Sequence, residues 1–325
     1  MARRNNRLAD VINLSNESFK VHKTLGDATN EYMQNIYRRA LSDDTLKHEQ
    51  EGMRSVYKLL PADTPLNLIN RSLIEIRVLD PMRESGLKAN TVNGRIKTLS
   101  RVLEHAVELG YISTNPARQV PLMKLTASQI QTLNNEQIAA ILAQIDSLTF
   151  TGLRDKTLIK LMLDTGIRIR EAMDLTVDRV DLRERKLRAI KGKNRKEEDI
   201  PISIPMCKEL KRYMNFRDHA EVDNLFITID GHKMNRRTFQ LRLQQYGRQA
   251  GIKNVRVSPH TLRHTFAKNW IIGGGDVFSL QKILRHSTME MVRIYVNLWS
   301  NEVQQQHDRF SPLVRFEKEL TTKKI

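Results

Sequence analysis

Apolar residues recur every three to four positions through the first 121 residues, which is the spacing of one face of an α-helix. The clearest segment spaces its apolar residues at intervals of four, three, four and three: Val92, Ile96, Leu99, Leu103 and Ala106. We predict that this helix begins at an N-cap, Asn90, and ends at Gly110. Weaker stripes predict three earlier helices, the third of which covers about residues 66–79 and stops before Pro81.

The pattern changes in the second part of the chain, where short strands join the helices. Asn134 or Asn135 is expected to cap a helix, and a longer apolar helix is expected to end at the C-cap Gly166. Two short runs, residues 186–190 and 199–202, flank a charged turn and predict an antiparallel hairpin. An apolar run at 225–229 is also predicted to be strand-like. Together these elements predict a mainly α fold with a small antiparallel β-hairpin.

The same pattern divides the chain into segments. Residues 1–24 are basic and polar without clear periodicity, and we interpret them as a flexible tail able to touch DNA. Residues 25–121 form a predicted helical domain, and residues 122–133 lack a strong period and are predicted to be a linker. Residues 134–325 form a second predicted domain that ends in an amphipathic tail. A chain of 325 residues has room for two such domains.

Charge changes this picture more than any other bulk property. Lysine and arginine outnumber aspartate and glutamate by 54 to 37, which gives a formal net charge of +17. A basic excess of this size favours a polyanionic partner, because bound phosphates release counterions. A membrane surface would also attract the chain, but no apolar run approaches transmembrane length and the N-terminus lacks the apolar core of a signal peptide. We therefore expect a cytoplasmic protein that binds nucleic acid, and a ribosomal or general RNA-binding protein fits these bulk properties equally well.

Residue usage also bears on cofactors. Cys207 is the only cysteine, which excludes disulfide frameworks and thiolate metal sites. The sequence shows neither a Walker motif nor a carboxylate cluster. We therefore expect no cofactor and no metal site.

Residues 258–295 concentrate the candidate chemistry. His260 and Arg263 are three residues apart and share one face of a predicted helix, so both can reach one ligand. Asp276 is a predicted N-cap of the following helix, and His286 and Tyr295 are expected about two turns apart in the next element. A cation, imidazoles and a phenol suit chemistry on an anion such as a phosphodiester. Taken singly, each has an ordinary explanation as a surface pair, a structural histidine or a packed tyrosine.

A further arginine lies upstream, at a predicted junction between two helices. Arg168 follows the C-cap Gly166 in the segment TGIRIREAMDL. An arginine at such a junction can be held rigidly and directed at an anion, although an isolated arginine is more often a surface residue. Glu171, in the same segment, is expected to be structural.

These motifs together resemble those of the tyrosine recombinases, the phage-integrase family. HTLRHTFA, then LRHS, then a tyrosine nine residues after that histidine match the C-terminal signature of the family, and TGIRIREAMDL resembles its first arginine box. The helix exit GYISTNPARQV resembles the end of the helical core-binding domain. The resemblance runs from the first helices to Tyr295 and implies a two-domain architecture, with a helical core-binding domain and a mixed α/β catalytic domain.

The resemblance implies a role for each site residue. Tyr295 attacks the scissile phosphate and forms a 3′-phosphotyrosine, while Arg168 and Arg263 bind the non-bridging oxygens. His260 is implied as the general acid and base, and His286 as a hydrogen-bond donor to the phosphate. A lysine on the hairpin protonates the leaving 5′-oxygen.

Counting along the hairpin assigns the lysine role to Lys193, with Lys191 and Lys196 as alternatives. Basic helix faces are further candidates for DNA contacts. The predicted DNA-binding residues are Arg95, Lys97, Arg101, Lys191, Lys196, Arg236, Arg237 and Arg242. The implied partners are double-stranded DNA and other copies of the chain, as a tetramer in which the C-terminal tail docks on a neighbouring protomer. The alternative is that this tail packs on its own domain.

Three positions depart from the family pattern and leave a second interpretation open. Arg285 stands where the family usually has glycine, and Met291 and Val292 replace small hydroxyl residues. The full set of active residues favours an enzyme, a site-specific recombinase encoded by a phage or mobile element. The alternative is a sequence-specific DNA-binding regulator on the same fold with weak or no cleavage. A nicking topoisomerase would share the chemistry, but the two-domain layout favours a recombinase. A general basic nucleic-acid-binding protein would account for the charge but not for the spaced motifs.

Overall fold

The computed structural model describes residues 23–125, 130–191, 197–217, 222–286, 288–298, 307 and 311–313. The chain divides into two compact units, Met1–Ser128 and Gln129–Ile325. Residues 1–22 of the predicted basic tail and most of the predicted C-terminal amphipathic tail lie outside the described residues. No helix in the described ranges is long and apolar enough to cross a membrane.

The first unit is built from helices packed around one apolar core. Its α-helices are α1 (Leu25–Arg38), α2 (Asp43–Tyr57), α3 (Arg71–Ile74), α4 (Asp80–Glu84) and α5 (Ala89–Glu108), with 3-10 turns at Leu66–Leu68 and Pro116–Gln119. The predicted stripe of α5 is buried along its whole length, at no more than 1% exposure, so the interpretation of these residues as a helix face is confirmed. Gly110 ends this helix as predicted, with a φ of 72°.

Two local predictions in this unit were wrong. The helix α5 begins at Ala89 with Lys88 as its N-cap, so Asn90 lies inside the first turn and caps nothing. Pro81 does not stop the third helix either, because a wider π turn at Glu75–Leu79 leads directly into α4, where Pro81 occupies the first turn. The proline is tolerated because the wider π turn ahead of it relieves the clash that its ring would make with a carbonyl of the preceding turn.

The second unit combines helices with a small sheet. Its α-helices are α6 (Asn135–Ala143), α7 (Phe150–Thr165), α8 (Ile169–Asp174), α9 (Ile204–Phe216), α10 (Arg236–Gln249), α11 (Pro259–Ile272), α12 (Val277–Leu284) and α13 (Glu290–Leu298). The strands β1 (Val180–Asp181), β2 (Lys186–Lys191) and β3 (Glu197–Pro201) form an antiparallel sheet in that order. The predicted fold class, mainly α with a small antiparallel sheet, is confirmed.

The sheet also shows where the sequence pattern was incomplete. The hairpin pairs Leu187 with Ile200 as its buried centre, whereas the short edge strand β1 was not predicted. The apolar run at 225–229 is not a strand. In the described ranges it takes part in one isolated β-bridge, between Ile227 and Lys233. Another isolated bridge, between Thr176 and Asn224, lies directly before the run. Its first residues are buried by tertiary packing, which produces the same apolar pattern as a strand.

A buried ionic network ties α7 to α10. Asp155 is fully buried and accepts hydrogen bonds from Arg154 Nε at 2.9 Å and Nη2 at 2.8 Å. The same carboxylate accepts from Tyr246 Oη at 2.9 Å and from Arg242 Nε. Buried charges are tolerated when they are paired and hydrogen-bonded, so this network fixes the two helices against each other.

Candidate active site

The first site arginine, Arg168, is held by the start of α8. Its backbone N–H donates to Glu171 Oε2 at 2.9 Å and its Nη1 donates to Glu171 Oε1 at 3.0 Å. Arg168 is the N-cap residue, and Glu171 stands at the third helical position, where a carboxylate satisfies the free N–H groups of the first turn. The guanidinium is therefore anchored on one side while a quarter of its side chain stays exposed.

The second arginine, Arg263, lies on α11 and is buried, with 5% exposure. Its Nη2 donates to the carbonyl oxygen of Leu284 at 2.6 Å and to His286 Nε2 at 2.9 Å, and its Nη1 donates to the carbonyl oxygen of Gly166. Burial, followed by the positive charge of Arg168, lowers the pKa of Arg263 to about 9. The side chain therefore remains charged at neutral pH.

Gly166 is what allows the two arginines to meet. It adopts a left-handed conformation with a φ of 62° and ends α7 as predicted. A Cβ at this position would lie 2.5 Å from Phe266 Cδ1 and 2.6 Å from Leu284 Cδ2. Only glycine therefore lets the end of α7 approach α11 and α12 this closely, which places the Gly166 carbonyl against Arg263.

The predicted nucleophile, Tyr295, lies inside this cluster. It is 3% exposed, and its hydroxyl lies 2.7 Å from His264 Nδ1. Its ring is nearly parallel to that of His286, with 6.4 Å between centroids and 11° between planes. Burial raises the pKa of Tyr295, while the positive charges of Arg263 and Arg168 act in the opposite direction. The phenol is therefore protonated at neutral pH and needs a proton acceptor to react.

The two histidines that flank Tyr295 are neutral. Burial, followed by nearby positive charge, lowers the pKa of His286 to about 3, and burial likewise lowers that of His264 to about 4. His286 Nε2 accepts from Arg263, so the neutral ring carries its proton on Nδ1. His286 lies after α12 and outside the helix that carries Tyr295, which corrects the prediction that both belong to one element.

His260 stands at the exposed rim of the cluster, in the first turn of α11. Partial burial lowers its pKa, and the neighbouring charges of Arg263 and Arg168 lower it further. The structure thus places His260 near both arginines, whose charges act on its ring. Lys193 lies outside the described residues, and Lys191 ends strand β2.

Arg285, the departure from the family pattern, reaches into the same cluster. Its backbone is left-handed, with φ and ψ of 51° and 50°, and its side chain is 4% exposed. Its Nη2 donates to Glu171 Oε2, the oxygen that also accepts from the backbone of Arg168. Burial lowers the pKa of Arg285, whereas the charge of Glu171 opposes this shift. Arg285 occupies the site without separating Arg263, His286 and Tyr295.

The sequence reasoning missed His264. This residue follows Arg263 directly and lies four positions after His260, so all three side chains belong to neighbouring faces of α11. That spacing was a usable signal, but its meaning depends on a contact with Tyr295, 31 residues away in the chain.

The predicted DNA-binding residues differ in their surroundings. Arg101 donates to the buried carboxylate of Glu49, with 2.6 Å between Nη2 and Oε1, and Arg242 belongs to the Asp155 network. Exposed side chains belong to Lys97, Arg101, Arg236 and Arg237, while Arg95 is half-buried. Lys196 lies outside the described residues. The role of all these residues in DNA binding stays a prediction.

Comparison with known proteins identifies the family. A model of the phage integrase family matches residues 131–302, which include Arg168, both flanking histidines and Tyr295. A model of the phage integrase SAM-like domain matches residues 24–122. The chain belongs to the phage integrase family. This confirms the family that the sequence motifs indicated, the tyrosine recombinases.

Several curated members of the family match most of this chain. The tyrosine recombinase XerC of Chlamydia caviae is 26% identical over 254 residues, covering 77% of this chain and 80% of that protein. The tyrosine recombinase XerD of Shewanella oneidensis is 28% identical over 280 residues, covering 84% of this chain and 92% of that protein.

Solved structures share the fold. The Tn1549 transposon integrase in complex with transposon right end DNA is 19% identical, with a TM-score of 0.70 over 89% of this chain and 99% of that one. A lambda integrase dimer bound to a COC′ core site is 18% identical, with a TM-score of 0.71 over 84% of this chain and 95% of that one. In the described ranges of our chain, no group of three or more histidine, cysteine, aspartate or glutamate side chains could hold a metal ion.

Proposed function

We propose that this protein is a site-specific DNA strand transferase that cuts and rejoins double-stranded DNA through a phosphotyrosine intermediate. The observation that carries the proposal is the position of the Tyr295 hydroxyl, 2.7 Å from a neutral histidine in the cluster that holds two buried or anchored arginines. A buried phenol beside guanidinium groups suits attack on a phosphodiester, because the arginines stabilise the negative charge that develops on phosphorus.

Tyr295 Oη forms a bond to the scissile phosphorus while the bond to the 5′-oxygen breaks. The phenolic proton leaves to a base, and the 5′-oxygen takes a proton from an acid, so that a 3′-phosphotyrosine and a 5′-hydroxyl result. A 5′-hydroxyl from a second strand then attacks the phosphotyrosine and releases Tyr295. Each phosphodiester bond that breaks is replaced by another, so the exchange needs no external energy source.

The remaining site residues take the following roles in this proposal. Arg168 and Arg263 bind the non-bridging oxygens, and His286 directs its Nδ1–H toward the phosphate. His260, at the exposed rim, exchanges protons with solvent and substrate as general acid and base. Lys193, with Lys191 and Lys196 as alternatives, protonates the 5′-oxygen.

We further propose how the chain engages its substrate. Residues 25–121 would form the core-binding domain and residues 134–325 the catalytic domain, joined by the linker 122–133. The exposed side chains of Lys97, Arg236 and Arg237 would contact phosphates, which position DNA without reading its sequence. Recombination of two DNA partners would require a tetramer, and the C-terminal tail would join neighbouring protomers. A phage or another mobile element would be the source of such an enzyme.

The alternative, a sequence-specific DNA-binding regulator with weak or no cleavage, rested on Arg285 beside His286 and on the two departures that follow it. In the described site Arg285 turns toward Glu171, and the contacts of Tyr295 with His264 and His286 are intact beside it. This arrangement favours the enzyme. The regulator remains the outcome to be tested against it.

Covalent trapping tests the proposal. The protein is incubated with target DNA that carries a nick beside the cleavage point, and the products are separated on a denaturing gel. We expect a protein–DNA adduct that Tyr295→Phe does not form. Tight sequence-specific binding by both proteins, with no adduct from either, would overturn the proposal in favour of the regulator.

A further inference from the structure

Arg285 carries a cost that its visible contacts do not offset. A left-handed backbone conformation is easily adopted by glycine but is unfavourable for other residues, and Arg285 occupies it with a φ of 51°. The side chain is then buried to 4% exposure, which strips the guanidinium of water. Buried charged groups need a full set of hydrogen bonds, so the position of Arg285 calls for a further ligand.

The buried unpaired donors of the described site belong to two consecutive residues. Within the described part of the chain, the buried side-chain nitrogens without a hydrogen-bond partner are Nε and Nη1 of Arg285 and Nδ1 of His286. Only Nη2 of Arg285 is engaged, by Glu171. Because Nδ1 of the neutral His286 carries a proton, all three nitrogens are donors, and a ligand that satisfies them must offer acceptor oxygens.

The charges of the site point to the same kind of ligand. Three guanidinium groups, from Arg168, Arg263 and Arg285, surround the carboxylate of Glu171, and the charge of Glu198 also acts on Arg285, while the histidines beside Tyr295 are neutral. Positive charge therefore exceeds negative charge among these described groups. A phosphodiester carries one negative charge, and the pentavalent species formed by attack on it carries two. Glycine in place of Arg285 would remove one of the positive charges that meet them.

We propose that Arg285 is a third phosphate-binding arginine of this site, which donates Nε and Nη1 to a non-bridging oxygen of the scissile phosphate. This inference rests on the proposed function, since it names a further group for the same reaction. A planar guanidinium suits the contact, because two of its N–H groups can bind phosphate oxygens in parallel. Glu171 then acts as the common anchor that holds Arg168 and Arg285 at fixed positions around the phosphate.

The test compares a charged with an uncharged scissile group. One nicked DNA carries the natural phosphate at the cleavage point, and a second carries a methylphosphonate, in which a methyl group replaces one non-bridging oxygen and removes the charge. Arg285→Gln and Arg285→Gly are compared with the unaltered protein in single-turnover adduct formation. Arg293→Gln, which changes an exposed arginine on the following helix, is the matched control.

We expect Arg285→Gln to slow adduct formation on the phosphate by about 100- to 1,000-fold, the range for removing one preorganised donor to a developing oxyanion. On the methylphosphonate, the unaltered protein and the variant should react at rates within about threefold, since there is less charge to neutralise. An equal loss on both substrates would show a structural role only and would overturn the proposal. A variant as fast as the unaltered protein on the phosphate would overturn it as well.

A binding measurement keeps this inference separate from the proposed function. In the Tyr295→Phe background no cleavage occurs, so fluorescence anisotropy reports the affinity for each DNA directly. The phosphate DNA should bind more tightly than the methylphosphonate DNA, and Arg285→Gln should reduce that preference by about tenfold, as for one charged hydrogen bond. An unchanged preference would refute the phosphate contact even if the protein forms no adduct at all. A protein that cleaves but shows no such change would retain the proposed function and lose the role of Arg285.

Discussion

The hydrogen bond between His264 and Tyr295 allows a quantitative prediction. His264→Gln removes the ring nitrogen that lies 2.7 Å from the phenol and keeps a polar side chain of similar length. A buried hydrogen bond left unmade costs about 1–3 kcal/mol, which corresponds to a loss of about 5- to 150-fold in the population of correctly placed phenol. The rate of adduct formation should fall by the same factor.

A larger effect would be expected if His264 were the base that removes the phenolic proton. General base catalysis contributes about 10²- to 10⁴-fold, but it is efficient only when the pKa of the base lies near the working pH. Burial lowers the pKa of His264 to about 4 and raises that of Tyr295, so the proton transfer would be strongly uphill. We therefore expect His264 to hold the nucleophile in place and another group to accept its proton.

Single-turnover adduct formation on nicked DNA, measured from pH 5 to 8, distinguishes these roles. His232→Gln, which changes an exposed histidine in the same unit, is the matched control, and circular dichroism checks that each variant folds. A holding role lowers the rate by a constant factor over this range, because His264 stays neutral throughout it. A rate within twofold of the unaltered protein would refute the reasoning. A loss beyond about 10³-fold that varies with pH would assign the proton transfer to His264 instead.

Asp155→Asn should lower the free energy of unfolding by about 3–5 kcal/mol, because it leaves buried guanidinium groups without their counterion. The control Asp174→Asn, in an exposed ion pair, should lower it by at most about 1 kcal/mol. Urea denaturation followed by tryptophan fluorescence measures the stability of each variant, because the two tryptophans lie in the second unit. Equal losses of stability in the two variants would contradict the importance of the buried counterion. In the folded chain the pKa of His264 is about 4 and that of His286 about 3, whereas both are 6.5 in the unfolded chain. Below pH 6.5 the unfolded chain therefore binds more protons than the folded chain. Their contribution to stability is complete above that pH and is lost progressively as the pH falls toward about 3. The urea midpoint should therefore fall between pH 7 and pH 5, and an unchanged midpoint would exclude this linkage. Gly166→Ala should lower the free energy of unfolding by about 2–4 kcal/mol, through backbone strain and overpacking. Gly251→Ala, at a similar φ with open space around it, should lower it by only about 1 kcal/mol. Thermal denaturation measures both, and equal losses would count against the clash at Gly166.

The elements that the sequence pattern predicted well are those whose own residues decide their structure. The apolar stripe of α5 has helical spacing and is buried over its whole length, and Gly166 and Asp276 end and begin helices through their own backbone and side-chain properties. Pro81 was misread because a wider helical turn ahead of it removes the conflict that a proline usually creates. The run at 225–229 was misread because burial by distant helices imitates the pattern of a buried strand.

The site divides in the same way. The spacing of residues within the family motifs was enough to select Arg168, Arg263 and the groups near the end of the chain, and the structure brings them together. Two features could not be read from spacing because they depend on contacts between distant segments. His264 has its meaning only beside Tyr295, and Arg285, which the sequence suggested as an obstruction, is paired with Glu171 from 114 residues earlier in the chain.

The position of Tyr295 among side chains of its own unit has a consequence in genetic terms. His264, His286 and Arg263 come from the same polypeptide as the tyrosine that they surround. Under the proposed function, an inactivating change in any of them would disable the cut that its own subunit makes. In the proposed tetramer, a subunit that lacks Tyr295 would not be rescued by one that lacks Arg263. Two such alleles expressed in one cell would fail to complement, and each active subunit would act as a self-sufficient unit of cleavage.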